Sequence, residues 1–289
     1  MAIERVTTMA RLPKRDADSH KGSYGSILVL AGGRGMAGAA ALAGASALRA
    51  GAGLVRVATA AEVQPTVASF EPSYMTYPLV CDGDGLIRFD PNRKTLERLL
   101  ERTDVLAIGP GIGQSSELRE LVHWAIESTR VPLLLDADAL NLLAGQTHYL
   151  ADLKRPVVLT PHPGEFARLS GRPIAEIQAD REGHATALAQ ADHLVVVLKG
   201  AHTVVTDGSR LFVNNTGNPG MATGGAGDVL TGVIAALIGQ KLPAFEAAQL
   251  GVYIHGLAGD IARDQNGEVG MIAGDIVDAL PDAFYHLTD

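Results

Sequence analysis

The sequence predicts an α/β protein with a mostly parallel central sheet covered by helices. Short runs of Val, Leu and Ile alternate with stretches whose apolar residues recur at helical spacing. The junctions between them are rich in glycine, with 33 in the chain, as expected of tight βα turns. Hydrophobic residues make up 47% of the sequence and aromatic residues only 4%, so the core is built from Ala, Val, Leu and Ile, which suits strands buried on both faces. No Pro/Ser-rich or charged linker divides the 289 residues, and the expectation is one domain over 1–289.

The elements follow in order. Residues 11–21 are polar, and Ile27–Ala31 reads as the first buried strand. After Gly32-Gly-Arg-Gly-Met-Ala-Gly38 an Ala-rich helix, Ala39 to Ala50, precedes a second strand, Leu54 to Ala58. Gly33, Gly35 and Gly38 fit G-x-G-x-x-G in this βαβ unit, with Glu62 near the end of the second strand, which keeps an NAD-dependent dehydrogenase among the alternatives. Asp104–Ile108 runs into Gly109-Pro-Gly-Ile-Gly113, a turn against which a ligand has room to lie. Val131–Leu135 leads to Asp136 and Asp138 at a strand's carboxyl end, where open α/β sheets bind ligands. Asp138 is also a candidate cap for a helix over Ala139–Ala144, and with both carboxylates free to face water the pair does not read as a metal site.

Pro156–Thr160 ends in Pro161-His-Pro-Gly-Glu165. The prolines hold His162 in an extended turn, as a structural histidine or as one that contacts substrate or phosphate. Glu165, in the first turn of the next helix, is either a dipole partner or an organiser of magnesium-bound water. Residues 175–191 read as one helix, and His193–Leu198 as a strand closing on Lys199-Gly-Ala-His-Thr203. Thr203–Thr206 and Arg210–Asn214 flank Asp207-Gly-Ser209 and predict a hairpin. Residues 243–264 read as a helix with His255 packed on its small-residue face, and Pro281 is expected to stop the last helix.

Between hairpin and helix lies Asn218-Pro-Gly-Met-Ala-Thr-Gly-Gly-Ala-Gly-Asp228-Val-Leu-Thr-Gly232. Val229, Leu230, Val233, Ile234, Leu237 and Ile238 recur at helical spacing, so a helix starts near Gly227 and ends at Gly239. Its free N–H groups attract anions, and Gly224, Gly225 and Gly227 let a phosphate reach the backbone. Asp228 reads either as a helix cap or as a base that takes a proton from a hydroxyl while the amides hold the developing charge.

A net charge of -8 gives no long-range attraction for nucleic acid or an anionic membrane. No apolar stretch reaches the roughly 18 to 20 residues of a membrane span. The single cysteine, Cys81, and an N-terminus without a signal-like apolar run imply a reducing, cytoplasmic setting.

The ordered set Gly109–Gly113, Asp136–Asn141, Thr160–Glu165, Lys199–Thr203 and Gly224–Gly232, within a match running from His20–Gly25 to Asp275–Ile276, resembles the ADP-dependent NAD(P)H-hydrate dehydratases. The resemblance implies a ribokinase-like layered α/β/α sandwich, and a dehydratase without the epimerase domain to which many relatives are fused. It implies repair of NADH or NADPH hydrated on the nicotinamide ring, with ADP as co-substrate in bacteria and ATP in eukaryotes, and with Mg2+. Phosphorylating the ring hydroxyl turns a poor leaving group into phosphate. By the same resemblance Asp228 is the base. Lys199, Gly200, Ala201, His202, Thr203 and Gly227 hold the nucleotide. Ala39, Gly111, His162 and Asp228 contact the hydrated dinucleotide, and Gly225, Ala226 and Gly227 form an anion hole. No residue is implied as a direct metal ligand; Glu165 would act through water. His202 departs from the small or amide side chain common among relatives. A homotetramer and a separate epimerase partner are implied as well. A kinase acting on a small hydroxylated vitamin precursor with ATP remains the main alternative.

Overall fold

The computed structural model describes residues 3–151 and 153–287. Its strands are β1 (Glu4–Arg5), β2 (Ser26–Leu30), β3 (Leu54–Ala60), β4 (Met75–Leu79), β5 (Val105–Ile108), β6 (Leu133–Leu135), β7 (Val157–Leu159), β8 (Val195–Leu198), β9 (Val204–Thr206) and β10 (Arg210–Val213). They form one sheet in the order β1-β10-β9-β8-β7-β6-β5-β2-β3-β4. Neighbours from β8 to β4 run parallel, while β9 and β10 are the antiparallel hairpin expected from the sequence.

Along β2 the side chains alternate between two cores, as the pleat requires. Ile27 and Val29 join one layer with α1 (Ala37–Arg49), α9 (Ala226–Gly239), α10 (Ala244–Asn266) and α11 (Ala273–Tyr285). Leu28 and Leu30 join the other with α3 (Arg93–Leu100), α4 (Ser116–Ser128), α5 (Asp138–Leu142), α6 (Pro163–Ser170), α7 (Ile174–Ala179) and α8 (Arg181–Asp192). α2 (Gln64–Phe70) sends Val67 into the first layer. No helix of the described residues is long and apolar enough to cross a membrane.

The strand order reverses at β2, which lies between β3 and β5. Ligands of open α/β sheets bind in the crevice at such a point. Main-chain bonds continue past the strand ends and lace the loops together: Gly32 N–H donates to Pro110 at 2.8 Å, Asp136 N–H to Ile108 at 3.0 Å and Lys199 N–H to Pro161 at 2.8 Å.

Two helix expectations are corrected. Residues 175–191 form two helices, because Asp180 leaves the helical conformation and its carboxylate caps α8 by accepting from Gly183 N–H at 2.9 Å. Pro281 does not end the last helix, which runs on to Tyr285. Leu280 and Ala283 are fully buried beyond or beside it, and their packing outweighs the one hydrogen bond a proline removes.

The middle of α9 packs closely on α1. A Cβ on Gly232 would lie 2.1 Å from Ser46 Oγ and 2.2 Å from the Ala43 carbonyl. Gly232→Ala is therefore expected to cost about 1–3 kcal/mol of stability, read from the urea midpoint, because a backbone atom must give way.

Candidate active site

The first turn of α9 carries the central carboxylate. Gly225 precedes the helix at φ 92, a left-handed conformation natural to glycine, and no side chain caps this end. Ala226, Gly227 and Asp228 follow, so Asp228 sits among first-turn amides that are available to an anion, and it does not cap the helix. Gly224 has open space where a Cβ would stand. An anion thus has an approach to this end of α9.

Lys199, at the end of β8, reaches beneath this turn. Its Nζ lies 2.6 Å from Asp136 Oδ1 and 3.8 Å from Glu165 Oε2, and a Cβ on Gly227 would be 3.3 Å from it. Asp136, 1% exposed, also accepts from Thr231 Oγ1 at 2.8 Å through Oδ2. One carboxylate therefore ties β6, β8 and α9 together. Asp136 does not face water as the sequence allowed, because a buried ion must be paired. Asp138 does not cap a helix over Ala139–Ala144; it accepts from Gly113 N–H at 2.9 Å, fastening the Gly109–Gly113 turn to α5, which begins at Asp138 itself.

Charge balance in this cluster follows from burial. Burial pushes the Asp228 carboxyl up to about 7, with the Asp136 carboxylate adding to the rise, Lys199 opposing it, and Glu165 and Asp138 contributing further. Burial works against the Lys199 charge, yet Asp136 and Glu165 outweigh it and hold the ammonium above the ordinary lysine value. Burial also raises Glu165 against the pull of Lys199.

His162 caps α6. Its Nδ1 accepts from Gly164 N–H at 3.0 Å, and Glu165 returns the bond by accepting from His162 N–H at 2.8 Å. The ring proton then belongs on Nε2, which stands 3.3 Å from Glu165 Oε1. Burial, then Lys199 and Arg168, lower the His162 pKa, so the imidazole is neutral at pH 7. The structural reading holds, since the ring caps α6, and the side chain is half exposed while it does so.

Ala39 and Gly111 meet at the switch point: a Cβ on Gly111 would lie 3.1 Å from that of Ala39. Leu42, one turn along α1, packs against Gly225, which brings this pair beside the start of α9. Gly200 and Thr203 close their own loop, with Thr203 Oγ1 donating to the Gly200 carbonyl at 2.9 Å. Ala201 and His202 sit at its exposed tip, with His202 at φ 55. The dinucleotide fingerprint is corrected: both oxygens of Glu62 accept from Arg34, from Nε at 2.8 Å and Nη2 at 2.7 Å, so the carboxylate is engaged in an ion pair.

Three contacts were invisible in the sequence reading. Thr231 lies three residues after Asp228, hence on the same helix face, a spacing that could have flagged it. His255 touches the site through Nε2, 2.9 Å from the Ala226 carbonyl. Arg181 stands at the newly found start of α8.

Among the described residues no group of three or more His, Cys, Asp or Glu is placed to hold a metal ion. Glu165, with both oxygens facing His162 and one near Lys199, suits contact through water rather than direct ligation. The glycine-lined helix end above an ammonium fits the diphosphate of a nucleotide.

The NAD(P)H-hydrate dehydratase family model matches residues 27–282. The bifunctional NAD(P)H-hydrate repair enzyme of Moorella thermoacetica is 47% identical over 94% of this chain and 51% of its own length. The chain thus spans about half the length of the first bifunctional relatives it matches. The ADP-dependent (S)-NAD(P)H-hydrate dehydratase of Neisseria meningitidis is 37% identical, with 96% of this chain and 92% of that protein covered. Among solved structures, the ADP/ATP-dependent NAD(P)H-hydrate dehydratase of Bacillus subtilis, co-crystallized with ATP/Mg2+, aligns at TM-score 0.82 and 34% identity over 95% of this chain and 94% of that one. The mostly parallel, two-sided sheet is the ribokinase-like fold. With this fold, these loops and a match over most of its length, the chain belongs to the NAD(P)H-hydrate dehydratase family.

Proposed function

We propose that the chain is an enzyme that dehydrates hydrated NADH and NADPH to NADH and NADPH with ADP as phosphoryl donor, ATP being an alternative donor. One observation carries the reading: Asp228 stands among the first-turn amides of α9, beside the Lys199 ammonium and next to the crevice where the sheet order reverses. Asp228 accepts the proton of the ring hydroxyl as its oxygen attacks the β-phosphorus, and AMP leaves. The amides of Gly225, Ala226 and Gly227, with Lys199, face the charge that builds on the phosphoryl oxygens. Phosphate then departs with its bonding electrons, the ring nitrogen supplies an electron pair, and loss of the neighbouring proton restores the dihydropyridine. Mg2+, when bound, would neutralise polyphosphate charge, and Glu165 would hold it through water.

Lys199, Gly200, Ala201, His202, Thr203 and Gly227 form the nucleotide side of this reading, and Ala39, Gly111, His162 and Asp228 the dinucleotide side. The proposal extends to one domain over 1–289, a cytoplasmic setting, a homotetramer, and an epimerase acting on the same hydrated substrate. The fused repair enzymes among the relatives, named for NAD(P)H-hydrate repair, support that pairing.

The division is tested by two substitutions. Thr203→Val removes the hydroxyl that closes the loop and is expected to weaken ADP binding about tenfold, the equivalent of about 1.4 kcal/mol. His162→Ala is expected to weaken the hydrated dinucleotide and spare ADP. Calorimetric titration of each variant with each ligand reads both, and equal losses for both ligands in either variant would refute the assignment.

A further inference from the structure

We propose that Arg181 is a positioning residue for the nucleotide: its guanidinium collects the carbonyls of the 198–202 loop and turns them away from a bound diphosphate. The inference rests on the nucleotide reading of that loop. Arg181 opens α8 immediately after the capping residue Asp180. Its Nη1 donates to Ala201 O at 2.6 Å and to His202 O at 3.3 Å, and its Nη2 to Leu198 O at 2.7 Å and Lys199 O at 3.1 Å. Four carbonyls within five residues thus converge on one cation.

A partly buried arginine is often paired with a carboxylate. Here the hydrogen bonds run to main-chain oxygens, so the positive charge stays uncancelled beside the loop. Carbonyl oxygens carry partial negative charge and repel phosphate, whereas N–H groups attract it. A loop that receives a diphosphate must therefore dispose of its carbonyls, and the guanidinium does so for four of them. The loop pays in backbone freedom: Gly200 adopts φ +143, and a Cβ there would stand 3.1 Å from Arg181 Nη2. His202 is held at φ 55. The same bonds fix the main chain of Lys199, whose ammonium reaches Asp136 at 2.6 Å, so the clamp also sets where that cation stands.

Lysine does not substitute for this fork. A guanidinium offers five donors in a plane, and an ammonium is a point charge that cannot span carbonyls on both sides of the loop. Arg181→Ala and Arg181→Lys are both expected to raise the dissociation constant for ADP about tenfold or more, while that for hydrated NADH changes by less than about twofold. Millimolar methylguanidinium is expected to restore much of the ADP affinity of Arg181→Ala, and methylammonium is not. General loss of folding would not respond in this selective way. If Arg181→Ala does not fold, Arg181→Lys, which keeps charge and bulk, carries the test. Wild-type ADP affinity in Arg181→Lys, or equal loss for both ligands, overturns the proposal. If Thr203→Val weakens ADP binding while the Arg181 variants bind it normally, Arg181 has no such role and the nucleotide reading stands. A wild-type protein that binds no ADP overturns both.

Discussion

Asp228→Asn is expected to leave a folded protein that binds ADP while its turnover falls by about 100- to 10,000-fold, the contribution of a positioned base acting on a hydroxyl. Asparagine keeps the size of the side chain and removes only its ability to take the proton. Because burial and the Asp136 carboxylate push the Asp228 carboxyl up to about 7, the wild-type kcat/KM should rise with pH through a midpoint near that value. The stability consequence has the opposite sense. A carboxyl whose folded pKa exceeds its unfolded value binds the proton more tightly when folded, so stability falls as pH rises from the ordinary aspartate range to about 7. Asparagine removes that loss. At pH 8 the variant should therefore melt no lower than wild type, as thermal unfolding would show. A variant with near-normal turnover would remove Asp228 from the chemistry, and one that melts far lower would make it a structural residue.

Lys199→Met is expected to have the largest effect on stability, about 3–5 kcal/mol, the usual cost of removing one partner from a buried ion pair. The cause is Asp136, which at 1% exposure would keep only Thr231 as a hydrogen-bond donor. Removing both charges should undo most of the loss. In Asp136→Asn/Lys199→Met, the asparagine oxygen still accepts from Thr231, the Asp136 charge is gone, and Glu165 keeps the His162 N–H at 2.8 Å. Denaturant midpoints of the single and double variants read the difference. Turnover should remain low in both, since each lacks the ammonium beneath Gly227. If the single variant is as stable as wild type, Lys199 does not sustain Asp136. Equal destabilisation of the double variant would mean that methionine itself disrupts the packing.

The parts of the molecule visible in the sequence are those governed by local rules. Ile27–Ala31 and Leu194–Leu198, the apolar part of the run from His193, announce buried strands because every residue there is apolar, and the observed strands differ only by a residue or two at their ends. The start of α9 was legible for the same reason, since glycines followed by helical periodicity have a local meaning. Asp180 was not legible as a break. It lies among good helix formers, and only its side chain's bond to Gly183 N–H shows that capping prevailed over continuing the helix. Pro281 is a local stop signal that the tertiary packing of α11 overrides.

Within the site, glycine turns and Asp228 could be picked out singly, and the ordered motifs supplied their family. Their electrostatics could not. Lys199 and Asp136 are 63 residues apart and meet because β6 and β8 both end at the same edge of the sheet. Sequence spacing carries no trace of that pairing. Arg181 is less visible still, because its partners are carbonyls, which every residue possesses.

On the proposed function, one site couples use of the nucleotide to elimination at the nicotinamide ring. Hydrated NADH mixed with protein, Mg2+ and ADP should recover near-ultraviolet dihydronicotinamide absorbance and release inorganic phosphate in equal molar amounts. Neither product should form without nucleotide. NADH recovered in the absence of ADP and ATP, or no recovery with either while a vitamin-like alcohol becomes phosphorylated instead, would contradict the account.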